Sequence, residues 1–120
     1  YSLLFVFLRG GRPMLERNFQ PKVIEAVKER MPECTVLKND ANYIQGFPDL
    51  TILHPNGRWA LLETKKSKGA KRQPNQPYYV EKMGKQSFAA FICPENKEEV
   101  LDELQRSLES RRSTRVPKCK

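Results

Sequence analysis

The segment 46–66, GFPDLTILHPNGRWALLETKK, constrains this chain more than any other. Two short apolar runs, Leu50–Leu53 and Trp59–Thr64, flank a Pro-Asn-Gly turn, which is the pattern of a β-hairpin. Antiparallel pairing brings the start of the first strand beside the end of the second. Residues two apart on a strand share a face, so Glu63 and Lys65 project together and Asp49 lands near both. Two carboxylates at close range repel unless a cation lies between them. Such a set suits a hard divalent ion, Mg²⁺ or Mn²⁺, bound by carboxylate, carbonyl and water oxygens. A lysine beside that ion can orient or deprotonate a water, or offset charge that develops on a phosphate. The plain alternative is a salt-bridge cluster at a strand end with no further role.

The rest of the chain supplies one small domain around that hairpin. Its 120 residues suffice for a single core. With 38% hydrophobic and 30% charged residues the composition is that of an ordinary globular protein. Apolar residues at Leu15, Phe19, Val23, Val27 and Met31 form one face of a helix. Pro21 either places the start near Asn18 or kinks a longer helix, and Pro32 closes it. Residues 34–38 read as a strand and 39–47 as a loop. After the hairpin come a basic loop over 65–75, a short helix over 78–83 ended by Gly84, and a strand over Phe88–Ile92. The last helix follows, with Asn96 and Glu99 as a capping box and a stripe of Val100, Leu101, Leu104 and Leu108. Trp59 and at least one of Tyr78 and Tyr79 are expected in the core. The order αβββαβα predicts an α/β fold, a small mixed sheet flanked by helices.

Residues 1–13 contain a short apolar run, far below the roughly 18 residues of a membrane span. Its arginines follow the run, unlike those of a signal peptide. The segment reads as an N-terminal extension ahead of a start at Met14, or as an added strand or oligomer contact. The domain is expected over 14–110, with a disordered basic tail over 111–120. Three dispersed cysteines (Cys34, Cys93, Cys119) and a single histidine exclude a structural zinc site and predict reduced thiols. His54 is given no catalytic role.

The net charge of +8 and a pI near 9.6 fit a polyanionic partner. Lys66, Lys68, Lys71 and Arg72 follow the Glu63–Lys65 strand directly, where they would neutralise phosphates flanking the acidic cluster. Lys38, Asn39 and Tyr43 lie on the approach to Asp49 and are further candidates to face nucleic acid. Either tyrosine of the Tyr78-Tyr79 pair could stack on a base.

Pro48-Asp49 on one strand and Glu63-Thr64-Lys65 on the next resemble the PD-(D/E)XK nuclease superfamily. A helix with an early glutamate (Glu16), the Gly46-to-Leu50 strand and a glutamine opening the next helix (Gln76) sharpen the match. They are similar to the virus-type replication-repair nucleases (VRR-NUC) and to phage Holliday-junction resolvase-like proteins. The resemblance spans residues 15–108 and implies a restriction-endonuclease-like core. It implies that Asp49, Glu63 and the Thr64 carbonyl ligate the metal, with Glu16 completing the set and Lys65 as the catalytic lysine. Glu25 and Glu29 compete with Glu16. Gln76 would position the lysine or the DNA backbone, with Gln73 as a substitute. The implied activity is Mg²⁺- or Mn²⁺-dependent DNA endonuclease, leaving 5′-phosphate and 3′-hydroxyl ends. Branched DNA, a homodimer, a role in phage replication, repair or recombination, and the cytoplasm of a bacterial or phage-infected cell complete the expectation. A non-cleaving DNA-binding accessory protein and an RNA-processing nuclease are the other readings.

Overall fold

The computed structural model describes residues 16–73 and 75–110, with the side chains of residues 16–18 outside that description. The expectations for residues 1–13, Met14, Cys119 and the tail lie outside the described residues. The elements are α1 (Glu16–Arg30), β1 (Thr35–Lys38), β2 (Leu50–Leu53), β3 (Trp59–Thr64), α2 (Gln76–Gln86), β4 (Phe88–Ile92) and α3 (Lys97–Glu109). The sheet order is β1-β2-β3-β4, antiparallel except for the parallel β3–β4 pair. That parallel pairing requires a crossover, and α2 provides it.

The register settles which residues share a face. Val36 pairs with Ile52, Leu50 with Leu62, Ile52 with Ala60, Leu62 with Ala90 and Thr64 with Ile92. This face packs against Phe19, Val23, Val27 and Met31 of α1 and Val100, Leu101, Leu104 and Leu108 of α3. Each of these large buried side chains contributes about 1.5–3 kcal/mol. Arg30 ties the two helices at their rim, with Glu98 at 2.8 Å and Asp102 at 2.7 Å. The bond to Asp102 does most to raise its guanidinium pKa. The opposite face, with Leu61 and Glu63, is covered by α2 over β3 and β4.

The turn behaves as its sequence predicts. Gly57 takes φ +95°, where a Cβ would be strained, and His54 N–H donates to the Arg58 carbonyl at 2.9 Å. The first helix spans Glu16–Arg30 and runs through Pro21, the longer of the two alternatives, and the missing Pro21 N–H leaves the Arg17 carbonyl without its usual helical donor. Several other local expectations are corrected. Residue 34 lies outside β1.

The second helix starts at Gln76 and passes Gly84, which has no left-handed φ. It ends where Ser87 N–H meets the Met83 carbonyl. Asn96 caps α3 without a side-chain bond to the helix. Its carboxamide closes the preceding turn instead, accepting from Cys93 N–H at 2.8 Å and donating to the Phe91 carbonyl. Trp59 is only half-buried at the start of β3, and α2 buries none of its residues fully. Neither Tyr78 nor Tyr79 is therefore core. Cys34 and Cys93 are free and buried, as expected of reduced thiols.

Candidate active site

Beyond the Leu50–Leu62 pair, the open end of the β2–β3 hairpin faces Asp49 toward Glu63. Asp49 Oδ1 accepts the Thr64 N–H at 3.0 Å, so its carboxylate lies against the peptide joining Glu63 to Thr64. Asp49 Oδ2 accepts from the Thr64 hydroxyl and from Gln20 Nε2 of α1, the latter at 2.8 Å. Thr64 points into the α1–α3 core and is fully buried. Its flanking residues point the other way, toward α2, as the strand period requires.

Glu63 and Lys65 are both buried, at 4% and 6% exposure. Their charged atoms stand 3.9 Å apart. A buried pair at that separation is stable only if further polar partners compensate for lost water. Gln76, the first residue of α2, supplies them. Its Oε1 accepts from Lys65 Nζ at 2.6 Å, and its Nε2 donates to Glu63 Oε2 at 2.9 Å. The carboxamide thus bridges acid and lysine with its two ends in their required orientation. Gln76 Oε1 also accepts the Gln73 N–H at 2.9 Å. Lys65 Nζ donates a second bond to the Lys71 carbonyl at 3.3 Å, and the Lys65 backbone N–H reaches the Ile92 carbonyl. Gln76 rather than Gln73 therefore contributes the side chain.

Asp49, Glu63, Thr64, Lys65 and Gln76 meet at one end of the sheet. Glu16 opens α1 one turn before Gln20, and its side chain lies outside the described residues. Glu25 and Glu29 are exposed further along α1. Lys66, Lys68, Lys71 and Arg72 are exposed on the loop that leaves Lys65, and Lys38 is exposed at the end of β1. Within this loop Arg72 stacks on Phe91, 3.8 Å from the ring centroid. Lys68 N–H donates to Glu95, whose carboxyl pKa is lowered by its own backbone N–H first and then by that of Lys68. Gln20 is the residue that sequence reading missed. Its only signal is the spacing of four from Glu16, which places both on one helix face.

The donor set fits a hard divalent cation, with carboxylate oxygens from Asp49 and Glu63 at the polar end of the sheet. The four-stranded mixed sheet between helices defines a restriction-endonuclease-like α/β class. Two solved structures place it more closely. A structure described as a VRR_NUC domain matches with a TM-score of 0.53 at 24% identity, covering 68% of this chain and 92% of its own. A second, described as a VRR_NUC domain protein, matches with a TM-score of 0.58 at 16% identity, covering 82% of this chain and 92% of its own. No family model matches the sequence, and no curated protein matches it. The fold is that of the VRR_NUC domain.

Proposed function

We propose that this protein is a divalent-metal-dependent endonuclease that hydrolyses phosphodiester bonds in DNA, with preference for branched or otherwise non-duplex substrates. The observation that carries the reading is the buried Glu63–Gln76–Lys65 bridge beside Asp49. A surface salt bridge needs no such support, because exposed pairs contribute only about 0–1 kcal/mol.

Asp49 and Glu63, with the Thr64 carbonyl and Glu16, are the residues that would hold Mg²⁺ or Mn²⁺. When bound, such an ion neutralises phosphate charge and lowers the pKa of a coordinated water. Gln20 and Thr64 fix the Asp49 carboxylate, which limits how far it must reorganise when the ion binds. Lys65 has three N–H donors, and two are committed to the Lys71 and Gln76 oxygens. The ammonium also faces Glu63 Oε2 at 3.9 Å, and held there it would stabilise charge that grows on a phosphate oxygen in the transition state. Lys66, Lys68, Lys71 and Lys38 would line the path of the backbone and contribute salt-sensitive, sequence-independent affinity. Cutting both strands of a symmetric junction would take two such sites, and hence a homodimer. Replication, repair or recombination is the setting that such a substrate implies.

The test is incubation with labelled four-way junction, flap, linear duplex and single-stranded DNA in Mg²⁺, Mn²⁺ or EDTA. Cleavage in metal that disappears in EDTA and in Lys65→Ala is expected. Cleavage that survives EDTA would sink the mechanism, and binding without cleavage of any substrate would favour an accessory protein.

A further inference from the structure

Beside the reactive end of the hairpin lies a cavity of about 270 Å³ that the proposed chemistry does not use. It is lined by Asn39, Asp40, Tyr43, Ile44 and Phe47. Tyr43, Ile44 and Phe47 form its apolar part, which water still reaches, with Tyr43 84% and Ile44 37% exposed. Large apolar groups left open on a rigid loop point to a ligand.

The loop is firmly built. Asn42 N–H donates to Asp40 Oδ1 at 2.8 Å, Tyr43 N–H to the Asp40 carbonyl and Phe47 N–H to the Ile44 carbonyl. Gly46 takes φ +88° and passes so close to Asn75 that any Cβ there would collide with it. The floor is joined to the catalytic strand, because Asn39 N–H donates to the Asp49 carbonyl at 2.9 Å and Asn39 Nδ2 to the Pro48 carbonyl at 2.8 Å. Asn39, in the cavity floor, therefore lies one strand spacing, about 5 Å, from the Asp49 backbone.

Its aromatic character continues onto α2. Phe47 meets Tyr79 edge-on at 5.5 Å, Tyr79 meets Tyr78 at 5.0 Å, and Lys82 Nζ stands 5.7 Å above the Tyr78 ring. Aromatic faces interleaved with cations next to a phosphate site are the chemistry of an unstacked nucleotide. A cavity this size lies below the roughly 300–1,000 Å³ that holds a drug-sized molecule and suits one heterocycle. A base inside a continuous duplex shows only its edge and cannot enter.

We propose that the Tyr43–Ile44–Phe47 cavity is a subsite for one unpaired nucleobase of the bound DNA strand, so that the protein selects sites where a base is already out of the stack. The inference rests on DNA being the substrate and deepens that reading. Asp40 at the rim presents carboxylate oxygens suited to an exocyclic amino group, as on cytosine or adenine.

The test is fluorescence anisotropy in EDTA, comparing a labelled duplex carrying one bulged adenosine with the fully paired duplex and with an abasic bulge. The bulged adenosine should bind the wild type about five- to tenfold more tightly than either control. Tyr43→Ala should remove that preference and Tyr43→Phe should keep it. Tyr43 is too exposed for either change to endanger the fold. Equal binding of abasic and adenosine bulges, or a preference untouched by Tyr43→Ala, would overturn the subsite. Because the readout is metal-free binding, failure here is distinct from failure to cleave any DNA.

Discussion

The β2–β3 hairpin has acidic side chains at both of its ends, and the two ends differ in construction. At the turn, His54 stands with Glu33 and Glu109, their ligand atoms all within 4.8 Å of one another. At the open end, Asp49 and Glu63 stand with Lys65. Five residues of strand separate Asp49 from His54, roughly 16 Å. The turn cluster has the residue types of a metal site, but its acids are exposed. Its histidine is also committed, since Nδ1 accepts the Asn56 N–H at 3.1 Å. The ring proton then sits on Nε2, which faces Glu33 at 3.3 Å. A cation there would have to displace that proton. At the open end Glu63 and Lys65 are buried and Asp49 is half-buried, and the acids are held by side chains from other elements, Gln20 from α1 and Gln76 from α2. Proximity of acids is common; enclosure with convergent, preset donors distinguishes a site.

Divalent ions probe the contrast most strongly. Mn²⁺ at a hundredfold excess over its dissociation constant should stabilise the protein by about 2.7 kcal/mol, a rise in melting temperature of several degrees. Glu63→Gln should abolish that rise, and Glu33→Gln should leave it. A rise lost only in Glu33→Gln would reverse the assignment of the two ends.

Gln76→Ala should come next, at about 1–3 kcal/mol by denaturant unfolding, because it strips hydrogen bonds from the buried Lys65 and Glu63 together. Asn56→Ala, at the exposed turn, should cost less. Equal losses would remove the distinction between a buried network and a turn. Gln20→Ala should cost about 0.5–1.5 kcal/mol and weaken the Mn²⁺ stabilisation by loosening Asp49. An unchanged metal response would leave Gln20 a packing residue only.

The smallest effect concerns pH. The carboxyl of Glu95 is depressed in the folded state, so its contribution is present above the unfolded carboxylate range and is lost as pH falls through the lower folded value. The protection of the Lys68 N–H relative to its intrinsic exchange rate should then fall at low pH, and Glu95→Gln should remove that pH dependence.

The site was legible in the sequence as far as strand geometry reaches. A period of two and the Asn-Gly turn fix the register, which carried one step further sets Asp49 opposite Glu63, while the Asp49 carboxylate turns to Thr64 and Glu63 and Lys65 share Gln76. Gln76 was legible by position, but its bridging role depends on α2 beginning at that residue. Gln20 was not legible, since an uncharged amide 29 positions from its partner has no local pattern. The cavity walls were hidden for a similar reason, because hydrogen bonds within an irregular loop shape them. Gly84 and Asn96 misled because tertiary demands overrode local preference. The chain continues past Gly84 to reach β4, and Asn96 spends its carboxamide on the turn before α3.

The most direct measurement is Mn²⁺-dependent cleavage of a labelled branched DNA by matched variants from the two ends of the hairpin. Glu63→Gln and Lys65→Ala should each lower the rate by about 10²–10³, while Glu33→Gln and His54→Gln should stay within about twofold of wild type, as surface changes do. Undiminished cleavage by Glu63→Gln, or its loss in His54→Gln, would contradict the account.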